Sequence, residues 1–402
     1  VHFASFDFGD PVYETRGFAF SMQIVTLENV YGIDPERTSA RDEDGVFVVR
    51  AAGLRMAGAR ESAPGAAILR VVPGKPGQVK VQMKARATAP VRCLKLLVRE
   101  LATPLSIVEE GSERAVGALG EVLAYPNRLA TPLLVAKAGA ETLVVRFEDP
   151  RVCEKRFAFC VEKLGPRAGQ GVLECIAEGE AWRFDREFEA APLVLGRGVD
   201  PGAFLADHLR FLEVRGGLVP YRERGDVPAF VRDLSLVVTL HGMHWTGRVF
   251  LDYAAMRALL RFIAERIEGR RVLAYLPGWE GRYYWQYGDY RPEPGLGGEK
   301  GFGALCEEAL RLGVHLMPMF GGNCVNATLP RFAGLDASAF MKSATGNRFH
   351  GNQPDWDFAR AHDTGWQAWL NPGHPGFRED LAGQIEGLAS RFGFDSVFLD
   401  TV

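Results

Sequence analysis

Leu234-Ser235-Leu236-Val237-Val238-Thr239-Leu240 reads as an apolar strand, and His241-Gly242-Met243-His244-Trp245 follows it without a break. A strand apolar on both faces belongs in a sheet covered on both sides, as parallel sheets are. Downstream the texture repeats. Tyr253 to Ile267 has helical spacing of apolar residues, Val272 to Leu276 reads as a second strand, Phe302 to Leu312 as a helix, and Val314 to Phe320 as a third strand. Phe377 to Phe392 reads as another helix and Ser396 to Leu399 as a fourth strand. This alternation predicts a parallel sheet covered by helices, either a (β/α)8 barrel or a doubly wound, flavodoxin-like sheet. The loops separate the two. Segments entering the strands are short (Glu268 to Arg271, Leu312-Gly313, Gly393 to Asp395), whereas those leaving them carry aromatic, His, Asn and Gly residues. That asymmetry favours a barrel, whose working face lies at the C-terminal strand ends. The first strand also lacks the Gly-rich phosphate loop of dinucleotide-binding sheets.

Upstream, from about Phe18 to Leu195, short β-type runs are separated by Gly, Pro and charged turns: VFVVR (46–50), AILRVV (67–72), QVKVQMKARA (78–87), CLKLLVREL (93–101), LVVRF (143–147), FAFCVEK (157–163) and VLECI (172–176). Several alternate at period two, as half-buried antiparallel strands do, which predicts a β-sandwich over 1–199. Asp200-Pro201 is a helix N-cap with a first-turn proline, opening a helical connector over 200–230. The expected fold class is multidomain, β plus α/β: an N-terminal antiparallel β-sandwich, then the first half of a TIM-type (β/α)8 barrel over 231–402. Only about four βα units fit there, against eight in about 250 residues for a complete barrel. The barrel therefore reads as cut off after strand four, and Val1 as a start inside folded sequence.

Composition narrows the function classes. The chain has 402 residues, 47% hydrophobic and 24% charged, with a formal net charge of -3. Its lysines and arginines are scattered, so neither nucleic acid nor an anionic membrane is an expected partner. No run approaches the ~20 apolar residues of a membrane span, and no leader-like series opens the chain. A soluble protein is expected, with secretion left open. The six cysteines lack CxxC or zinc-finger spacing and read as buried thiols, although Cys153 and Cys160 are placed to pair in an oxidising compartment.

The sharpest single residue is Asp400. The run Phe394 to Asp400 (FDSVFLD) delivers a carboxylate at the C-terminal tip of an apolar strand, where a barrel mouth would hold a sugar's anomeric carbon. The competing reading is a cap for the next helix. Glu280, in Pro277-Gly278-Trp279-Glu280-Gly281-Arg282, is a second carboxylate at the same end, with a loop ion pair to Arg282 as its alternative. This loop gathers Trp279, Tyr283, Tyr284, Trp285, Tyr287 and Tyr290. Sugars offer apolar C–H faces rimmed by hydroxyls, so aromatic platforms beside fixed polar groups suit them, with core packing as the other use of such rings. After the third strand come Gly321-Gly322-Asn323 and a long segment containing Asn347, His350, Trp356, His362, Trp366 and Asn371, which is expected to form an ordered lid. Asn371 either meets sugar hydroxyls or shapes the turn before the next helix. His241 and His244 are three apart, not alternate, and no HExxH helix is present, so zinc is not expected. The candidate substrate contacts are His241, Trp245, Trp279, Glu280, Tyr284, Trp285, Asn323, Trp366 and Asn371, with no metal or other cofactor.

A β-sandwich leading into a barrel whose fourth strand ends Phe398-Leu399-Asp400 resembles retaining glycoside hydrolases of the α-galactosidase and endo-α-N-acetylgalactosaminidase type, and related uncharacterised barrel families. The resemblance implies a carbohydrate substrate and a nucleophilic role for Asp400. It also implies a general acid/base on a later strand, beyond Val402, so that residues 1–402 alone would be inactive. Two other functions stay open: a non-catalytic glycan-binding barrel, and a metal-dependent hydrolase.

Overall fold

The computed structural model describes residues 10–400 apart from 57, 110, 118–119, 152, 164–166, 181–183, 283, 335 and 343–365. The chain divides into two compact units, Val1–Val219 and Pro220–Val402. Among the described residues most elements are strands, and no helix is long and apolar enough to cross a membrane.

In the first unit, period-two patterning becomes burial. Along Gln78–Ala87 the residues Val79, Val81, Met83, Ala85 and Ala87 are buried, while Gln78, Lys80, Gln82 and Lys84 are partly covered and Arg86 is exposed. This strand pairs antiparallel with Gly65–Pro73 on one side and Leu193–Arg197 on the other, in a ten-stranded sheet. Val91–Leu101 holds the equivalent place between Phe18–Thr26 and Gly171–Glu178 in a nine-stranded sheet. Val79, Val81 and Phe147 from one sheet merge with Phe20, Leu94 and Leu96 from the other in a single hydrophobic cluster, so each sheet covers the other. The helix Pro201–Gly216 starts where its cap predicts, Asp200 accepting from the Ala203 N–H at 2.8 Å, and packs Phe204 on Val144 and Val194. All six cysteines, Cys153 and Cys160 included, are free thiols.

The second unit carries a sheet of four strands, β1 (Leu236–Thr239), β2 (Val272–Leu276), β3 (His315–Gly321) and β4 (Phe398–Asp400), in that order and all parallel. The crossovers contain α1 (Tyr253–Ala264), α2 (Gly298–Leu312) and α3 (Pro375–Phe392). α1 buries Tyr253, Met256 and Leu260, and α2 buries Phe302, Leu305, Cys306 and Ala309, each a stripe at helical spacing. Asp252 caps α1 by accepting from the Ala255 N–H at 2.7 Å, and left-handed glycines, Gly313 and Gly393, end α2 and α3. Neighbouring helices adjoin. Arg261 of α1 pairs with Glu308 of α2 at 2.7 Å, and Phe302 of α2 meets Phe392 of α3 edge-on at 5.0 Å. The sheet is thus wound in one direction, without the reversal of strand order that defines a doubly wound sheet. A two-stranded antiparallel ribbon, Cys324–Asn326 with Gln367–Trp369, lies between β3 and α3 in the chain; the sequence pattern does not signal it.

Phe302 is fully buried, with ring centroids 5.3 Å from Tyr253 and 4.9 Å from Trp279. Phe302→Ala is expected to lower stability by about 3–5 kcal/mol, read from urea or thermal unfolding.

Candidate active site

The ends of β1 and β2 stay paired after the strands stop. The N–H groups of Leu240, Gly242 and Met243 donate to the carbonyls of Tyr275, Pro277 and Gly278, each at 2.9 Å. Only glycine suits this seam. A Cβ on Gly242 would lie 2.3 Å from the Gly278 oxygen, and one on Gly278, whose φ is +66°, 2.2 Å from the Met243 oxygen.

Past Gly278 the loop turns inward. Trp279 is fully buried, donates its indole N–H to the Met319 carbonyl at 2.9 Å, and stacks on Phe302. Its neighbour Glu280 is carried inside with it. Further along, the Tyr290 hydroxyl accepts from the Gly321 N–H at 2.7 Å, and the Tyr287 hydroxyl donates to Asp400 Oδ2 at 2.8 Å. Asp400 stands opposite Gly321 in the β3–β4 register, and its carbonyl accepts from the Gly322 N–H at 2.6 Å. Tyr287 is fully buried against Gly321, where a Cβ would come within 2.4 Å of the Tyr287 ring and 2.9 Å of the Cys324 carbonyl oxygen.

Glu280 is 1% exposed, and among the described residues neither carboxyl oxygen has a hydrogen-bond partner. Burial, far more than the nearby negative charges of Asp400 and Glu293, pushes its pKa from the ordinary 4.5 up to about 8, against a lowering pull from its own backbone amide. At neutral pH it therefore holds its proton, an acid that donates rather than a charge. Burial, with Glu280 and Asp400 next in effect, raises the Tyr287 phenol far above its usual range and keeps it a donor. His241 is pushed down, chiefly by burial and then by His244, so it stays neutral.

The predicted contacts divide accordingly. Trp279 is corrected: with its ring and N–H both committed to the core, it has no face for a ligand. The loop ion pair between Glu280 and Arg282 does not form; Arg282 instead donates to the Trp245 carbonyl at 2.9 Å and lies over Trp285 at 4.9 Å. Trp285 in turn meets Trp366 at 5.1 Å, so rings from two separate loops are brought together, both partly exposed. Tyr284, at the left-handed φ of 65°, contacts Tyr287 edge-on at 5.2 Å. His241 packs edge-on against Phe250 at 4.9 Å. Asn323 is buried, with its side-chain oxygen unbonded among the described residues. Asn371 is exposed and accepts from the Gly373 N–H at 2.9 Å, which is the turn-shaping role. Tyr283, Asn347, His350, Trp356 and His362 lie outside the described residues. Among those described, no three His, Cys, Asp or Glu side chains converge as a metal would need. The hydroxyl contact of Tyr287 with Asp400 escaped sequence reasoning; its one trace is tyrosine, rather than phenylalanine, at a position that proves fully buried.

No protein-family model matches the sequence, and no curated protein matches it. Solved structures do. The ligand-free α-N-acetylgalactosaminidase NagBb of Bifidobacterium bifidum aligns over 97% of this chain and 70% of its own, at 12% identity and a TM-score of 0.60. NagBb in its GalNAc complex aligns over 97% of this chain and 66% of its own, at 13% identity and a TM-score of 0.65. The GH36 α-galactosidase AgaA of Geobacillus stearothermophilus, in its raffinose complex, aligns over 96% of this chain and 56% of its own, at 13% identity and a TM-score of 0.47. At these identities the likeness is one of fold. The chain carries a glycoside hydrolase-like fold, over part of the length of the enzymes it matches.

Two outcomes follow from this geometry. Between pH 4.5 and 8 the unfolded chain ionises Glu280 while the folded chain keeps it protonated, so stability falls as pH rises, by about 1.4 kcal/mol per pH unit. Glu280→Gln, which removes this dependence, is expected to match the parent near pH 4 and to exceed it increasingly towards pH 8, read as the difference in unfolding free energy across that range. Gly321→Ala is expected to cost about 1–3 kcal/mol by overpacking the Tyr287 ring, read from denaturant midpoints.

Proposed function

We propose that the protein is a retaining glycosidase acting on an oligosaccharide, polysaccharide or glycoconjugate, with Asp400 as its nucleophile. One observation carries this reading: a carboxylate at the C-terminal tip of the last parallel strand receives the Tyr287 hydroxyl while Glu280 lies buried within reach of its field. The fold likeness to NagBb, a structure of which contains GalNAc, supports a sugar substrate. On this reading the first unit is a β-sandwich and the second is four βα units of a (β/α)8 barrel. The one-directional winding supports that architecture. So does the exposure of Val237, Phe398 and Leu399 on the outer strands, at 59%, 38% and 41%, apolar surface of the kind that barrel closure covers.

Asp400 attacks the anomeric carbon while a second carboxylic acid, about 5 Å away, protonates the leaving oxygen; water then cleaves the glycosyl ester with the second group acting as base. That second role is assigned to no residue of this chain. Glu280, neutral at pH 7, offers an O–H to a sugar hydroxyl instead of a charge. The part-exposed faces of Tyr284, Trp285 and Trp366 meet apolar sugar C–H groups, with His241, Trp245 and Asn323 beside them.

In the natural full-length protein, Asp400→Asn is expected to lower turnover by ~10³-fold or more with the circular dichroism spectrum unchanged. The first product seen by NMR is expected to keep the substrate's anomeric configuration. An inverted first product, or full activity in the variant, sinks the proposal.

A further inference from the structure

We infer that Tyr287 is a positioning residue for the nucleophile: its hydroxyl fixes the orientation of the Asp400 carboxylate. The inference rests on the reading of Asp400 as nucleophile and adds to it a residue that touches no substrate.

Three contacts hold the phenol independently of any ligand. Its backbone carbonyl accepts from the Asn326 N–H at 3.0 Å, while the Asn326 side-chain amide donates to the Trp285 carbonyl at 2.9 Å. Asn326 is itself fully buried, so this grip is shielded from water. The ring fills the space that a side chain at position 321 would need. Beyond the ring, Gln384 of α3 closes the loop: its side-chain oxygen accepts from the Tyr290 N–H and its amide donates to the Gly288 carbonyl, each at 3.1 Å. With backbone, ring and following turn all fixed, the hydroxyl has one direction left, towards Asp400 Oδ2. A carboxylate attacks along one lone pair, and a donor fixed on one oxygen sets how the group is turned towards the anomeric carbon. Such preorganisation spares the reorganisation a mobile carboxylate would undergo in the transition state.

The test is Tyr287→Phe in the natural full-length protein, beside Asp400→Asn. For Tyr287→Phe, kcat is expected to fall about 10- to 100-fold, the worth of one hydrogen bond to a charged group. KM is expected to stay within about twofold, because no substrate contact is lost. The circular dichroism spectrum and the unfolding midpoint are expected to stay at the parent's, so that mere loss of folded protein does not account for the fall. Should Tyr287→Phe fold poorly, 4-fluorophenylalanine at position 287 fills the hydroxyl's space without donating, and the same fall in kcat is expected. A kcat within about twofold of the parent's in the well-folded variant, with Asp400→Asn inactive, overturns the inference while sparing the nucleophile. Full activity in Asp400→Asn instead removes the nucleophile reading itself.

Discussion

Where a neighbouring strand stops short, the peptide hydrogens that faced it lose their ladder partner, yet buried N–H groups must find acceptors. At the end of β3, past the point where β2 stops at Leu276 opposite Pro318, the Tyr290 hydroxyl takes the Gly321 N–H, while the Gly322 N–H stays in the ladder on the Asp400 carbonyl of β4. Much of the site follows from the first of these bonds. To bring a phenol beneath β3, the loop after β2 must dive rather than spread over the rim. Diving buries Trp279 and Glu280 and sets Tyr287 one ring away from Asp400.

The electrostatic outcome is a pair of carboxyl groups in contrasting surroundings. Glu280 is buried away from water and pairs with no cation among the described residues, and burial favours its protonated form. Asp400 keeps a phenol donor and partial exposure. Two acids held in such different environments are a recurring arrangement where one must stay neutral while the other works charged. The proposed chemistry uses that contrast, with Glu280 offered to a sugar hydroxyl and Asp400 to the anomeric carbon.

Much of the framework was legible. β2 runs over the residues its pattern predicts, Val272 to Leu276, because Pro277 ends it sharply. Gln78–Ala87 shows its buried face in plain alternation. α2, by contrast, starts at Gly298 rather than Phe302, since a glycine-rich first turn reads as a loop until later turns are seen to be packed. The ribbon of Cys324–Asn326 and Gln367–Trp369 is a long-range pairing of short segments, which local periodicity does not register. The place of Asp400 at the end of β4 was legible because a charge at the end of an apolar strand breaks a pattern. Trp279 was not, because a loop tryptophan reads alike whether it supports a ligand or fills a core. The Tyr287 contact depends on a fold-back between positions far apart in the chain, and spacing alone does not contain it.

The indole of Trp279 also decides which parts of the rim are free to adapt. Lifting the loop after β2 away from the sheet would drag that ring out from between Phe302 and Phe320 and strand the Met319 carbonyl, at a cost of several kcal/mol. The loop is therefore moored: its first turn keeps its place for as long as that indole stays wedged under the sheet.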